Sequence, residues 1–341
     1  MKRALCLILA LGLLLTGCAG NQSRELRKFE ATFLGLFDTV TTVVGYRESQ
    51  EQFEAEARAI RDGLEEYHRL FDIYNEYEGL NNLKTVNDHA GIAPVEVDSR
   101  IIALLKDCKY YYELTGGRVN VALGSVLYLW HTARNDSLDD PAHAYIPDGE
   151  ALRAAAEHTD LTAVVIDEAA STVYISDPEV RLDMGAVAKG WAAQRVAETA
   201  PDGLLISVGG NVCGTGPKTP EGNPWVVGVQ NPDGGDSFLH TLYLTEGCMV
   251  TSGDYQRVYW ADGQMYHHII DPDTLHPSTY WRSVTICCGD SGLADALSTA
   301  LFLLPLAEGQ ALLETCGAEA MWVDSTGKIY YSSGFEALIR I

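Results

Sequence analysis

TAVVIDEAASTVYISD, residues 162–177, decides the fold class. It reads as two short strands of alternating character around a turn of small residues. Strands joined so closely must run antiparallel, because a parallel return needs a crossover of a dozen or more residues. Downstream, strand patterns follow one another: LLISV (204–208), WVVGV (225–229), HTLYLTE (240–246), QRVYW (256–260), YHHII (266–270) and SVTICC (283–288). A long apolar helix, GLADALSTALFLL (292–304), and a shorter one near 308–316 precede two last strands at 320–323 and 328–332. Upstream, TFLGLFDTVTTVVGY (32–46) is β-branched enough for a strand. Phe53, Ala57, Ile60, Leu64, Tyr67, Phe71 and Tyr74 then recur at helical spacing, with His68 beside that apolar face. Helices are expected at 99–114, after the glycine turn of TGGRVNVALGSVLYLWH (115–131), and at 150–158, with a polar surface excursion over 134–150. Helices and antiparallel strands mix without regular βαβ alternation, which makes the class α+β.

The first residues stand apart from this core. Lys2 and Arg3 precede an apolar run, Ala4 to Leu15, that is too short to span a bilayer but suits an export signal. Leu15-Thr16-Gly17-Cys18 is similar to the bacterial lipobox, which implies a lipoprotein signal peptide over 1–17 and lipid on Cys18. Residues 18–28 then form a lipid-anchored tether, and 29–341 one catalytic-size domain. Localisation is expected to be extracytoplasmic, at a bacterial membrane. The chain carries 24 basic and 47 acidic residues, a net −23, which repels nucleic acid and anionic lipid alike. A phosphate-bearing ligand therefore needs a local metal ion, backbone N–H groups or a placed cation. Beyond Cys6 and Cys18, the cysteines at 108, 213, 248, 287, 288 and 316 form no C-x-x-C pair, which disfavours structural zinc.

Five segments are candidates for chemistry. Asp295 sits in the apolar 292–304 helix, where an unpaired buried carboxylate is costly, and Thr299 shares its face one turn on. Two oxygen donors so placed suit a hard cation such as Mg²⁺, although Asp295 could equally cap the helix start. RLDMGAVAKGWAAQRVAE (181–198) places Asp183 at a strand end, a helix opening at Gly185 and Lys189 one turn in, an arrangement for an anion or for a plain cap. SVGGNVCGTG (207–216) matches neither dinucleotide nor P-loop fingerprint and reads as a tight turn. GDSG (289–292) resembles a protease nucleophile segment without its continuation. In YHHIIDPDTLHP (266–277), strand alternation puts His267 and His268 on opposite faces, so they cannot readily share one metal ion, but either can serve as a base.

Taken in order, FDTVTTVVGY, LKTVN, TGGRVNVALGSVLYLWH, LDMGAVAKGWAA, SVGGNVCGTG, TSGDYQRVYW, HHIIDPDTLHP and LADALSTALFLL resemble the ApbE family of FAD:protein FMN transferases over nearly the whole chain. The resemblance implies an ApbE-like α+β fold with two closely packed lobes. It implies Mg²⁺-dependent transfer of FMN from FAD to a threonine hydroxyl of an acceptor protein, with release of AMP. By position it implies His268 as the catalytic base. It places Phe37, Arg118, Val119, Asn120, Asp183, Lys189 and Ile270 at FAD, and Ala186 (through its carbonyl), Asp295 and Thr299 at Mg²⁺. The expected acceptor is a separate protein, a subunit of a membrane redox complex or an extracellular flavoprotein, because no D-x-[ST]-G-A-[ST]-T segment occurs in this chain. Three departures touch the flavin contacts: Phe37-Asp38-Thr39 stands where many members have Met-Gly-Thr, Arg118-Val119-Asn120 replaces Ala-Phe-Asp, and Leu275-His276 replaces a turn glycine. Arg118 is a candidate extra cation for the pyrophosphate. Two rival readings are an exported Mg²⁺-dependent FAD pyrophosphatase, with water as acceptor, and a non-enzymatic flavin- or solute-binding lipoprotein.

Overall fold

The computed structural model describes residues 25–235 and 237–340; the expected export signal, Cys18 and most of the expected tether lie outside the described residues. The hairpin β1 (Arg27–Leu34) and β2 (Val40–Arg47) leads into α1 (Gln50–Phe71). A second lobe follows: α2 (Leu83–Asp88), β3 (Val95–Glu96), α3 (Ser99–Leu114), α4 (Gly124–Asp139), α5 (Gly149–Ala156), β4 (Val164–Asp167) and β5 (Thr172–Ile175). The chain returns through α6 (Ala188–Thr199) to β6 (Leu204–Val208), β7 (Asn211–Thr215), β8 (Trp225–Gln230), β9 (Phe238–Leu244) and β10 (Glu246–Gly253). It ends with β11 (Tyr259–Ala261), β12 (Gln264–Tyr266), β13 (Ser283–Cys288), α7 (Ser291–Phe302), α8 (Leu306–Leu313), β14 (Glu319–Val323) and β15 (Ile329–Tyr331).

Eight of these strands form one sheet in the order β1-β2-β6-β7-β10-β13-β14-β15, every neighbour antiparallel. That order is chain order, so the sheet is a meander and the remaining elements are insertions between adjacent strands. The second lobe enters between β2 and β6, and the histidine turn between β10 and β13. The 162–177 stretch is the antiparallel pair β4–β5, Val164 opposite Ile175, extended by β3.

α7 is buried at every position but Leu293 and Thr299, because it lies between the sheet and α6. Leu297, Leu301 and Phe302 join the core of the sheet lobe, while Ala296 and Ala300 face the core of the second lobe. Each large apolar side chain buried this way contributes about 1.5–3 kcal/mol. Trp191 of α6 closes the seam, edge-on to both Tyr67 and Phe71. The sheet's other face is covered by the β8–β9 hairpin through Trp225, Val227 and Val229.

Four local expectations change. β10, a central strand, comes from EGCMVTSG, whose glycines and small polar residues hide its β character until strands flank it on both sides. YHHII is not one strand: β12 stops at Tyr266, and residues 267–278 fold on themselves, with Leu275 N–H donating to Asp271 O and Ser278 N–H to Ile269 O. α4 runs on to Asp139, so much of the expected excursion is helix. α6 opens at Ala188 and not at Gly185, after a turn in which Gly185 N–H donates to the Asp183 carboxylate.

Candidate active site

The insertions meet at a cleft between the two lobes. One wall is the turn after β1, where Phe37 and Asp38 hold left-handed backbone at φ 51° and 53°. Side chains with a Cβ resist this conformation. His68 of α1 supports it: its Nδ1 accepts the Phe37 N–H at 3.2 Å, and the two rings meet edge to face.

The floor comes from the loop before α4 and the turn before α6. Thr115 Oγ1 accepts the Val119 N–H, and Val119 itself is buried. Asn120 accepts the Ala122 N–H and donates to Thr159 O, which pins the loop. Arg118 is not a free cation: its Nη1 stands 2.6 Å from Asp273 Oδ2 and 3.4 Å from Asp271 Oδ1. It braces the histidine turn instead of offering its charge to the cleft.

That turn carries His267 to Ile270. His267 is buried, its Nε2 donating to Ser278 O at 2.8 Å and its Nδ1 accepting the Ile269 N–H. His268 lies on the opposite side, in the cleft, with Nδ1 3.2 Å from Gln256 O. A carbonyl only accepts, so this contact puts the proton on Nδ1 and leaves Nε2 with a bare lone pair. The His268 side chain lines the cleft and is itself exposed. Crowding by the cleft walls, followed by the charges of Arg257, His267 and Lys189, pushes its imidazole down to about 3. The ring is thus neutral at physiological pH. Leu275, in place of a turn glycine, holds φ 61°, and the Trp130 indole N–H of α4 donates to its carbonyl at 2.9 Å.

Behind the cleft lies Asp295, 4% exposed. Its Oδ2 accepts the Gly190 N–H at 2.8 Å and stands 3.6 Å from Lys189 Nζ, which also donates to Gly185 O. One N–H of the opening turn of α6, that of Gly190, therefore serves an internal carboxylate. The α7 cap is Asp290, which accepts the Leu293 N–H, so Asp295 is not a cap. Gly190 allows the close approach: a Cβ there would stand 2.2 Å from Ser291 O and 2.5 Å from Asp295 Cβ. Thr299 faces the cleft, and its hydroxyl has no hydrogen-bond partner among the described residues. Phe37, Arg118, Val119, Asn120, Asp183, Ala186, Lys189, His268, Ile270 and Thr299 all line this one cleft; Asp295 sits one layer beneath it. Among the described residues, no three His, Cys, Asp or Glu side chains gather into a metal cluster. The oxygen donors here include the carboxylates of Asp295, Asp183 and Asp38, the Thr299 hydroxyl and backbone carbonyls. This all-oxygen set fits a hard divalent cation.

Among the lining residues that sequence reasoning did not assign to the site are Tyr74, His131, Arg134 and Arg257. Tyr74 was counted in the α1 stripe, but α1 ends at Phe71, and Asp72 accepts the N–H groups of Tyr74 and Asn75 to turn the chain out. Its half-exposed ring stacks on His131 at 5.3 Å. The Asp72-Asn75 turn pair was a signal for that exit. Arg134 was hidden in the supposed excursion.

The ApbE family model matches residues 37–322. The FAD:protein FMN transferase of Treponema pallidum is 35% identical over 278 residues, 76% of this chain and 75% of that protein. The FAD:protein FMN transferase of Klebsiella pneumoniae is 29% identical over 279 residues, 78% of this chain and 84% of that one. Among solved structures, the ApbE protein of Thermotoga maritima superposes with a TM-score of 0.80 at 30% identity, covering 92% of this chain and all of that one. The flavin transferase ApbE of Vibrio cholerae, at 24% identity and TM-score 0.75, shares the fold.

Proposed function

This chain belongs to the ApbE family, and from that membership we propose the chemistry of its cleft: a threonine hydroxyl of an acceptor protein receives FMN from FAD at His268, beside a Mg²⁺ held by Asp295, Thr299 and the Ala186 carbonyl. The activity, transfer of FMN from FAD to protein, is that of its named relatives. The metal, the acceptor hydroxyl and the residue roles are our reading. The observation that carries it is the neutral His268, with Nε2 bare, in the same cleft as Lys189 and Thr299.

The step balances as follows. The threonine oxygen forms a bond to the phosphorus bearing riboflavin, the phosphoanhydride P–O bond breaks, and AMP leaves. The threonine proton passes to His268 Nε2. Lys189 and the Asp183 turn orient the diphosphate, and Phe37, Val119, Asn120 and Ile270 shape the pocket around the dinucleotide. Asp295 engages Lys189 and the Gly190 N–H through Oδ2, which leaves Oδ1 for a cation, and Thr299 offers an unused oxygen. Mg²⁺ bound there would neutralise charge on the phosphoryl oxygens. General-base help of this kind contributes about 10²–10⁴-fold. The reading includes export and a lipid anchor at Cys18, supported by the Leu15-Thr16-Gly17-Cys18 pattern, and a membrane redox subunit or extracellular flavoprotein as acceptor.

The test uses the chain from residue 21 with FAD, Mg²⁺ and a small domain bearing a D-x-[ST]-G-A-[ST]-T segment. Intact mass of the acceptor and released AMP are followed together. One added FMN, abolished by EDTA and by His268→Ala, supports the transferase. AMP release with two such acceptors unlabelled moves the activity to FAD hydrolysis. FAD binding with neither product leaves a binding protein.

A further inference from the structure

In a chain of net charge −23, the cleft gathers four cationic side chains, Arg118, Lys189, Arg134 and Arg257. Two are committed: Arg118 to Asp273 and Asp271, and Lys189 to Gly185 O beside Asp295. The other two have no carboxylate. Arg134 on α4 has a buried Nε with no partner, and its only hydrogen bond is a long one, 3.4 Å, to its neighbour Asn135. Arg257, in the loop between β10 and β11, makes no hydrogen bond or ion pair among the described residues and holds left-handed backbone at φ 48°. Arg257 adjoins Gln256, whose carbonyl holds the His268 ring.

Both guanidinium groups open onto the same cleft. Burial first, and then the Arg257 charge, pulls Arg134 below the ordinary arginine value. His131 is lowered by burial, then by Arg134, with Arg257 adding to the effect. Arg257 is also the leading charge acting on His268. Arg257 lines one cleft with Arg134 and His131 of α4 and with His268 and Lys189. Asp38 and Asp183 line the same cleft, but neither pairs with Arg134 or Arg257, so each guanidinium keeps its donors open to a bound anion. A planar guanidinium offers paired N–H donors that match phosphate oxygens.

Resting on the transferase reading, we propose that Arg134 and Arg257 form a clamp for the dinucleotide's diphosphate. Arg257 binds the phosphoryl group nearest His268, and Arg134 binds its neighbour. Both act as binding residues for FAD, and the AMP half leaves through their contacts. The orphaned Arg134 Nε is the group the ligand satisfies.

Affinities of FAD, ADP and riboflavin are measured by calorimetry and flavin fluorescence for the wild type, Arg134→Gln, Arg257→Gln and Arg257→Lys. Each Gln variant should weaken FAD and ADP about tenfold or more, leave riboflavin unchanged and flatten the salt dependence of FAD binding. Arg257→Lys should recover part of the loss. Unchanged FAD affinity in both Gln variants, or a parallel loss of riboflavin, overturns the clamp. Thermal melts check that the variants are folded, and Arg257, exposed on a loop, provides a variant with little structural burden. If the wild type itself binds no FAD, the functional reading fails and not merely the clamp.

Discussion

Gly190 and Asp295 are joined by a 2.8 Å hydrogen bond from the backbone N–H of α6 to the carboxylate of α7, across the seam of the two lobes. The carboxylate assigned to the metal is thus also a joint of the fold. Asp295→Asn keeps an oxygen acceptor and removes the charge. It should retain the fold, shown by an unchanged circular dichroism spectrum, and lose at least 100-fold in Mg²⁺-dependent turnover. Full turnover in this variant would exclude Asp295 as a ligand.

The same seam predicts a packing defect. Gly190→Ala drives a methyl group to 2.2 Å from Ser291 O, which is backbone and cannot swing away. Overpacking should cost about 3 kcal/mol or more, read as a lower urea midpoint at constant slope. An unchanged midpoint would mean that the helices part easily.

For His268, the acid limb of the kcat/KM profile belongs to the free enzyme. A base must be neutral to act, and a depressed pKa moves its loss of activity to lower pH. The limb should therefore lie well below pH 6.5, following the shift toward about 3. The kcat limb should lie higher, because bound phosphates favour imidazolium. His268→Gln should lower kcat about 10²–10⁴-fold with FAD affinity kept. A kcat/KM limb at or above pH 6.5 would remove His268 from this role.

His267 makes a separate pH prediction. Burial, the leading cause, lowers its pKa below that of the unfolded chain. The unfolded state then binds more protons, so the stability held above about pH 6.5 declines as pH falls through the acid range below it. Thermal midpoints measured from pH 7 to 5 should fall in the wild type and fall less steeply in His267→Gln. Parallel slopes would show that His267 contributes nothing to acid sensitivity.

Asp38 holds φ 53° at the cleft mouth, where many family members have glycine. Asp38→Gly removes the steric penalty and a negative charge together. Stability should rise by up to about 1 kcal/mol and FAD affinity by roughly threefold. Weaker FAD binding would mean that the Asp38 carboxylate contacts the ligand directly.

The hairpin of residues 162–177, the helix 99–114 and the buried apolar α7 were legible because their periodicity survives without context. Asp295 could be noticed for the same reason: a lone carboxylate in an apolar stripe is anomalous in one dimension. β10 could not, since its strand character comes from β7 and β13 on either side. The opposed roles of His267 and His268 followed from adjacency, although the backbone separating them is a turn and not the expected strand. Arg134, Arg257 and Tyr74 were invisible because they lie 60 or more residues apart in sequence and meet only through folding. Arg118 shows the reverse error: its charge was legible, but its two carboxylate partners lie about 150 residues away.

The cationic side chains gathered in the cleft of a strongly acidic chain have a kinetic consequence. Beyond a Debye length of about 10 Å at 0.1 M salt, a dianionic dinucleotide meets a repelling body; inside the mouth it meets attraction. Added salt weakens both fields. Ligand arrival should therefore speed up while residence shortens, so the two rate constants respond in the same direction even as affinity falls. Slow capture followed by firm retention suits a transferase that holds one substrate until a second, macromolecular reactant arrives.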